Sequence, residues 1–305
     1  MKRVNRASLI AAATALFCCS LAAEAAAADQ WTWLPITGHA AVSVNTKVYV
    51  LGNTWGTQGW RVQYYDIATN GGTPFVGNAA GTSIAVDNDG GVWVAQANGA
   101  IQNVLNTDNF SGNLGCDGQT WVLVRQELGH NSLAIGDPTQ PYIIDLNGNV
   151  YAWTASNNCW TSLPPLPSGV AANDIAVWGG SAILGGQRIR AIDANGTIYA
   201  LDGTAWSEVF GTGRAKASGT NGPGWQVDAP KVVGWDNMSI WEWQANTGSN
   251  PGWHQPAGTV CDWAHWQIYQ LGSSRYPGSS SFNAKGVLTG IDGRIWAYGY
   301  FPFLW

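Results

Sequence analysis

Short runs in which small or polar residues separate branched apolar ones recur along the chain: Val42-Ser43-Val44, Ile84-Ala85-Val86, Leu133-Ala134-Ile135, Ile175-Ala176-Val177 and, more weakly, Trp266-Gln267-Ile268. A period of two sends successive side chains to opposite faces of a strand, and no segment sustains the 3.6-residue period of an amphipathic helix. Between the runs lie Gly, Asn and Asp, the residues of tight turns. The pattern predicts short antiparallel strands joined as meanders.

Two further patterns keep step with the first. A turn followed by a β-branched residue appears at Asn98-Gly99-Ala100-Ile101, Asn147-Gly148-Asn149-Val150, Asn195-Gly196-Thr197-Ile198 and Asp292-Gly293-Arg294-Ile295, with looser copies ending at Val62 and Ile240. A Trp-led strand recurs at Trp33, Trp121, Trp160, Trp206 and Trp253, with Phe75 where a Trp is missing. Four short strands per 40 to 50 residues is the arithmetic of a propeller blade, and a blade with two apolar faces can bury them only against its neighbours. The expected fold is all-β: a six-bladed β-propeller of four-stranded antiparallel blades. Trp31-Thr32-Trp33-Leu34-Pro35 has the character of an outermost strand that lacks its inner three, so the N-terminal strand is expected to complete the last blade. The weak first strand around Lys216 to Gly219 leaves counts of five or seven open.

The order I-A-V, then Val92-Trp93-Val94, then N-G-x-I, then W-x-x-[LV] resembles the tectonin repeat of tachylectin-like propellers, over nearly the whole chain after its first residues. Units one and five depart from the pattern. The resemblance implies a secreted or surface-acting lectin with glycan sites between neighbouring blades.

Composition narrows the classes. Charged residues are 11% of the chain, against about 25% in an average soluble protein, while Trp numbers 19 and Gly 39. Lys2, Arg3 and Arg6, the apolar stretch from Ala7 to Ala23 and small residues before Asp29 read as a signal peptide over residues 1–28, leaving 29–305 as a single propeller domain. Taking three basic residues from 14 and Glu24 from 19 acidic ones leaves 11 and 18, a net charge of −7. With no basic run, nucleic acid is not an expected partner, and no later apolar run is long enough for a membrane span. The expected location is secreted or periplasmic. Oligomeric state is left open.

Three cysteines follow the leader, Cys116, Cys159 and Cys261. If strands run up and down through a blade, Cys116 and Cys159 lie on one face and Cys261 on the other. Cys116 with Cys159 is then the expected bridge, reached through the insertion from Asn106 to Gln119.

No metal or cofactor is expected. Asp87-Asn88-Asp89-Gly90, Asp145-Leu146-Asn147-Gly148 and Asp193-Ala194-Asn195-Gly196 begin like calcium loops, but Asn98, Ser156 and Thr204 stand where the bidentate Glu is required. Tight turns explain them better. No catalytic residues are assigned: Glu127, Glu208 and Glu242 form no evident acid–base pair, the arginines are spread thinly, and no nucleophile elbow or phosphate loop is present. The periodic tryptophans, with Trp93, Trp241 and Trp296, are expected to pack between blades. Trp55, Trp60, Trp235, Trp263 and Trp266 fall in or beside connections that share one face of the disc; Trp178 and Trp225 fall on the other. A flat indole suits stacking on a sugar ring. The expected function is a carbohydrate-binding protein with glycan partners at Trp55, Trp60, Trp235 and Trp263, with Trp266 drawn into the core. Alternatives are a propeller scaffold or adhesin for protein partners, or a glycan-processing hydrolase.

Overall fold

The computed structural model describes residues 30–72, 74–105, 109–110, 112–126, 130–178, 188–208, 215–222, 229–234, 240–244, 252–254, 268–272, 274–275, 284, 286–290 and 292–299. The expected signal peptide lies outside them. The described strands form five sheets, four of four strands and one of nine. Neighbours are antiparallel except at Ser274–Arg275, which runs parallel to Ser43–Val44 on one side and Asn221–Gly222 on the other. That short strand divides the nine-stranded sheet into two antiparallel groups of four, so the architecture is a propeller-like series of four-stranded meanders.

In chain order the groups begin with Ala40–Val44, Ser83–Val86, Leu133–Ile135, Ala172–Trp178, Ala215–Gly222 and Ile268–Gly272. Each of these first strands lies beside the next, and Ile268–Gly272 lies beside Ala40–Val44. The region around Lys216, weak in the sequence, is a full strand. In the last group, Gly286–Gly290 and Arg294–Gly299 are followed by Gln30–Thr37 from the other end of the chain, with Trp33 opposite Trp296 and Leu34 opposite Ile295.

Among the described residues the apolar cores lie between groups rather than within them. Leu34, Ile36, Val48, Val287 and Ile295 join the sixth to the first. Val42, Leu51, Val62, Ile84 and Val94 join the first to the second. Trp93, Ile101, Val122, Ile143 and Trp160 join the second to the third, and Ile144, Val150, Ile175, Ile189 and Trp206 the third to the fourth. Each fully buried aliphatic side chain contributes about 1.5–3 kcal/mol, and no group can collect that contribution alone.

The aspartate motifs are turns. In each, Oδ1 accepts the backbone N–H two and four residues on: Asp89 and Gly91 for Asp87, Asn147 and Asn149 for Asp145, Asn195 and Thr197 for Asp193. Gly90, Gly148 and Gly196 sit at φ of 86°, 81° and 79°, where a side chain would be strained. Cys116 and Cys159 are bridged, as the strand directions suggest.

The periodic tryptophans divide. Trp160 and Trp206 are buried, as are Trp93 and Trp296. Two do not pack as expected. Trp33 is 51% exposed because strand alternation gives the inward positions to Leu34 and Ile36, leaving its indole beneath the Arg294 guanidinium at 5.5 Å. Trp121 is 70% exposed because the insertion before it supplies the outer strand of the second group, Asn109–Phe110. Phe110 takes the packing place, 5.3 Å from Trp93 and 5.2 Å from Trp153 between ring centres. The side chains of Trp241 and Trp253 lie outside the described residues.

Candidate functional site

Strands Lys47–Gly56 and Gly59–Asp66 form a hairpin whose loop is only Thr57 and Gln58. Gly59 has φ 138°, and a Cβ there would meet the Gly81 backbone at 2.4 Å, so the tip can close this tightly only with glycine. The next pair outward from the turn is Trp55 opposite Trp60. Cross-strand partners project from the same side of the sheet, and the two indoles meet edge to face with centroids 4.9 Å apart. Trp60 is half-buried against the core shared by the first and second groups, whereas Trp55 is 55% exposed.

The surroundings fix this pair. The His39 ring stacks on Trp60 at 4.0 Å between centres, and burial holds its pKa below the usual 6.5, which favours the neutral imidazole. Asn53 Nδ2 donates to Thr37 Oγ1 at 2.8 Å, and Gln63 Nε2 donates to the Thr37 carbonyl at 3.0 Å, tying the hairpin to the N-terminal strand. The neighbouring cation, Arg61, is engaged elsewhere. Its guanidinium covers Phe75 at 3.8 Å and donates to the Gly77 carbonyl at 3.1 Å. Trp55 is therefore an exposed aromatic on a buttressed base, its partner Trp60 covered by the His39 ring.

Trp55 and Trp60 are brought together. Trp235, Trp263 and Trp266 lie outside the described residues, as does Trp225, and Trp178 closes the strand Ala172–Trp178. Sequence reasoning missed His39, a lone histidine in no motif, and the exposure of Trp121. A pocket of about 120 Å³ lies where the third group meets its connection to the fourth, lined by Asn147, Asn149, Ser162, Leu163, Pro164 and Val170 among others. Among the described residues no cluster of three or more His, Cys, Asp or Glu is placed to hold a metal, and no helix is long and apolar enough to cross a membrane.

No family model matches the chain, and no curated protein matches it. Solved structures do. A structural-genomics protein of unknown function from Bacteroides thetaiotaomicron is similar at a TM-score of 0.53 and 12% identity, over 89% of this chain and 76% of that one. PorZ, a bacterial surface component of the type-IX secretion system of Porphyromonas gingivalis, is similar at a TM-score of 0.42 and 13% identity, over 87% of this chain; the match spans only 38% of PorZ. The SapL1 lectin, solved in complex with α-methyl fucoside, is similar at a TM-score of 0.46 and 17% identity, over 84% of this chain and 90% of that one. At 12% identity the Bacteroides likeness is one of fold.

Proposed function

We propose that the chain is a secreted six-bladed propeller, closed by its N-terminal strand, that binds glycans through aromatic side chains on one face. The cycle of neighbouring first strands and the pairing of Gln30–Thr37 with Arg294–Gly299 support the closed six-fold reading. The functional reading rests on Trp55: an indole 55% exposed, held edge to face on Trp60, which the His39 ring covers in turn. A preformed flat apolar surface matches the face of C–H groups that a pyranose ring presents. Trp235 and Trp263, assigned to the same face by strand order, extend the proposed site. A glycan array probed with the secreted chain tests it. Binding to a sugar class that Trp55→Ala lowers about tenfold or more, with an unchanged melt, is the expected result. An array with no signal, or one indifferent to Trp55 and Trp60, would overturn it.

A further inference from the structure

The insertion before the third group folds into a second hairpin that the repeat does not require. Leu114 bridges Trp121, Gly115 N–H donates to the Thr120 carbonyl at 2.8 Å, and Val122 N–H donates to the Asn113 carbonyl at 2.7 Å. One side is pinned to the strand Cys159–Ser162: Trp160 N–H donates to the Leu114 carbonyl, Cys116 N–H donates to the Trp160 carbonyl, and the Cys116–Cys159 disulfide covers both. The other side is pinned by Arg125 N–H donating to the Ile144 carbonyl at 2.8 Å. Val122 and Val124 point into the core at 0% and 1% exposure. Leu114, Trp121 and Leu123 consequently face outward, at 39%, 70% and 37%. Asp117 organises the tip, accepting the N–H groups of Gln119 and Thr120 and the Thr120 hydroxyl. An indole carried on a pinned backbone, with apolar flanks and a polar end, is thus presented to solvent.

We infer that this hairpin is a second saccharide-binding platform, separate from the Trp55 hairpin, in which Trp121 stacks on the C–H face of a pyranose ring and Gln119 and Thr120 meet its hydroxyls. The inference takes its ligand class from the reading above but not its location. Size selects the ligand. Trp121 with Leu114 and Leu123 exposes on the order of 300 Å² of apolar surface, well short of the ~800 Å² per partner of a stable protein interface. A patch of that size is large enough to be functional and fits one or two sugar rings.

The test is an array of neutral hexose-containing glycans probed with the intact chain and with Trp55→Ala, Trp121→Ala and Trp121→Phe. Sedimentation velocity and disulfide mapping are run on each. We expect Trp121→Ala to lose about tenfold in apparent affinity for a glycan class that Trp55→Ala retains, with Trp121→Phe recovering part of it and the disulfide intact. Loss confined to Trp55→Ala would leave the first reading standing and overturn this one; loss confined to Trp121→Ala would do the reverse. A wild-type dimer that Trp121→Ala dissociates without changing the glycan profile would also overturn it, because the patch would then be a subunit contact.

Discussion

The indole N–H of Trp93 donates to Oδ2 of Asp87 at 2.7 Å, while the other carboxylate oxygen holds the turn through the N–H groups of Asp89 and Gly91. Asp193 repeats the arrangement with the Tyr199 hydroxyl at 3.3 Å. An acid six residues ahead of an aromatic therefore joins a turn to the inter-sheet core. Asparagine at residue 87 could satisfy the two backbone donors but would turn an amide N–H₂ toward the indole N–H. Asp87→Asn should cost about 1–3 kcal/mol in urea denaturation, the range for leaving a buried donor unmet.

The same carboxyl should shape the acid limb of the stability curve. Burial, the largest influence, pushes Asp87 up from its usual 3.8, against the lowering effect of its three donors. The folded chain thus keeps this proton to higher pH than the unfolded chain. The stability tied to it is complete below 3.8 and declines as pH rises to the elevated value, staying level above. Asp87→Asn should lack that decline. Parallel curves for the two proteins through this window would exclude the effect.

Trp160 and Trp206 do the same job one group apart. Their indole N–H groups donate to the Gly112 carbonyl at 3.0 Å and the Pro164 carbonyl at 2.8 Å, each in the connection arriving from the preceding group. Trp206→Phe should lose about 1 kcal/mol, the net worth of one hydrogen bond, and Trp206→Ala about 3–5 kcal/mol. Trp33→Ala, in the same sequence phase but half exposed, should change stability far less. Equal losses at residues 33 and 206 would show that exposure does not govern these positions.

That contrast marks how far the sequence is legible. The β class, the meander spacing, the N-terminal strand against Arg294–Gly299 and the Cys116–Cys159 bridge all follow from local periodicity and strand direction. Trp33 and Trp121 escape the pattern because the Trp repeat counts positions along the chain, while burial depends on which face a strand turns inward. Leu34 competes for the inward place in one case; in the other an insertion lets Phe110 fill it first. In the candidate site, Trp55 and Trp60 were legible as aromatics beside a turn. Their contact depends on the two-residue loop, and His39 approaches from a connection that carries no recognisable pattern.

The Trp55 platform depends on Gly59. At φ 138° and with the Gly81 backbone 2.4 Å from any added Cβ, Gly59→Ala must open the hairpin tip. The nearest pair is Trp55 with Trp60, so their edge-to-face contact is the first to move. Gly59→Ala should lower stability by about 1–3 kcal/mol and alter the near-ultraviolet circular dichroism that the coupled indoles generate. A stable variant with an unaltered spectrum would show that the tip tolerates the change.

The N-terminal strand carries the strongest test of architecture. Leu34 is 0% and Ile36 4% exposed, and both belong to the core that also contains Val48 of the first group and Val287 and Ile295 of the sixth. Losing either should cost about 2–5 kcal/mol, so losing both approaches the 5–15 kcal/mol that holds a whole domain together. Deleting residues 31–36 would also leave Arg294–Gly299 as an unpaired edge next to an uncovered apolar surface. A closed ring would transmit such a loss to every member, since a blade buries its faces only against its neighbours. The deletion should therefore abolish cooperative melting of the entire chain, and Leu34→Ala should lower the melting temperature without broadening the transition. If the truncated chain melts cooperatively within a degree or two of the intact one, the first and sixth groups do not depend on this strand, and the closed six-bladed reading fails.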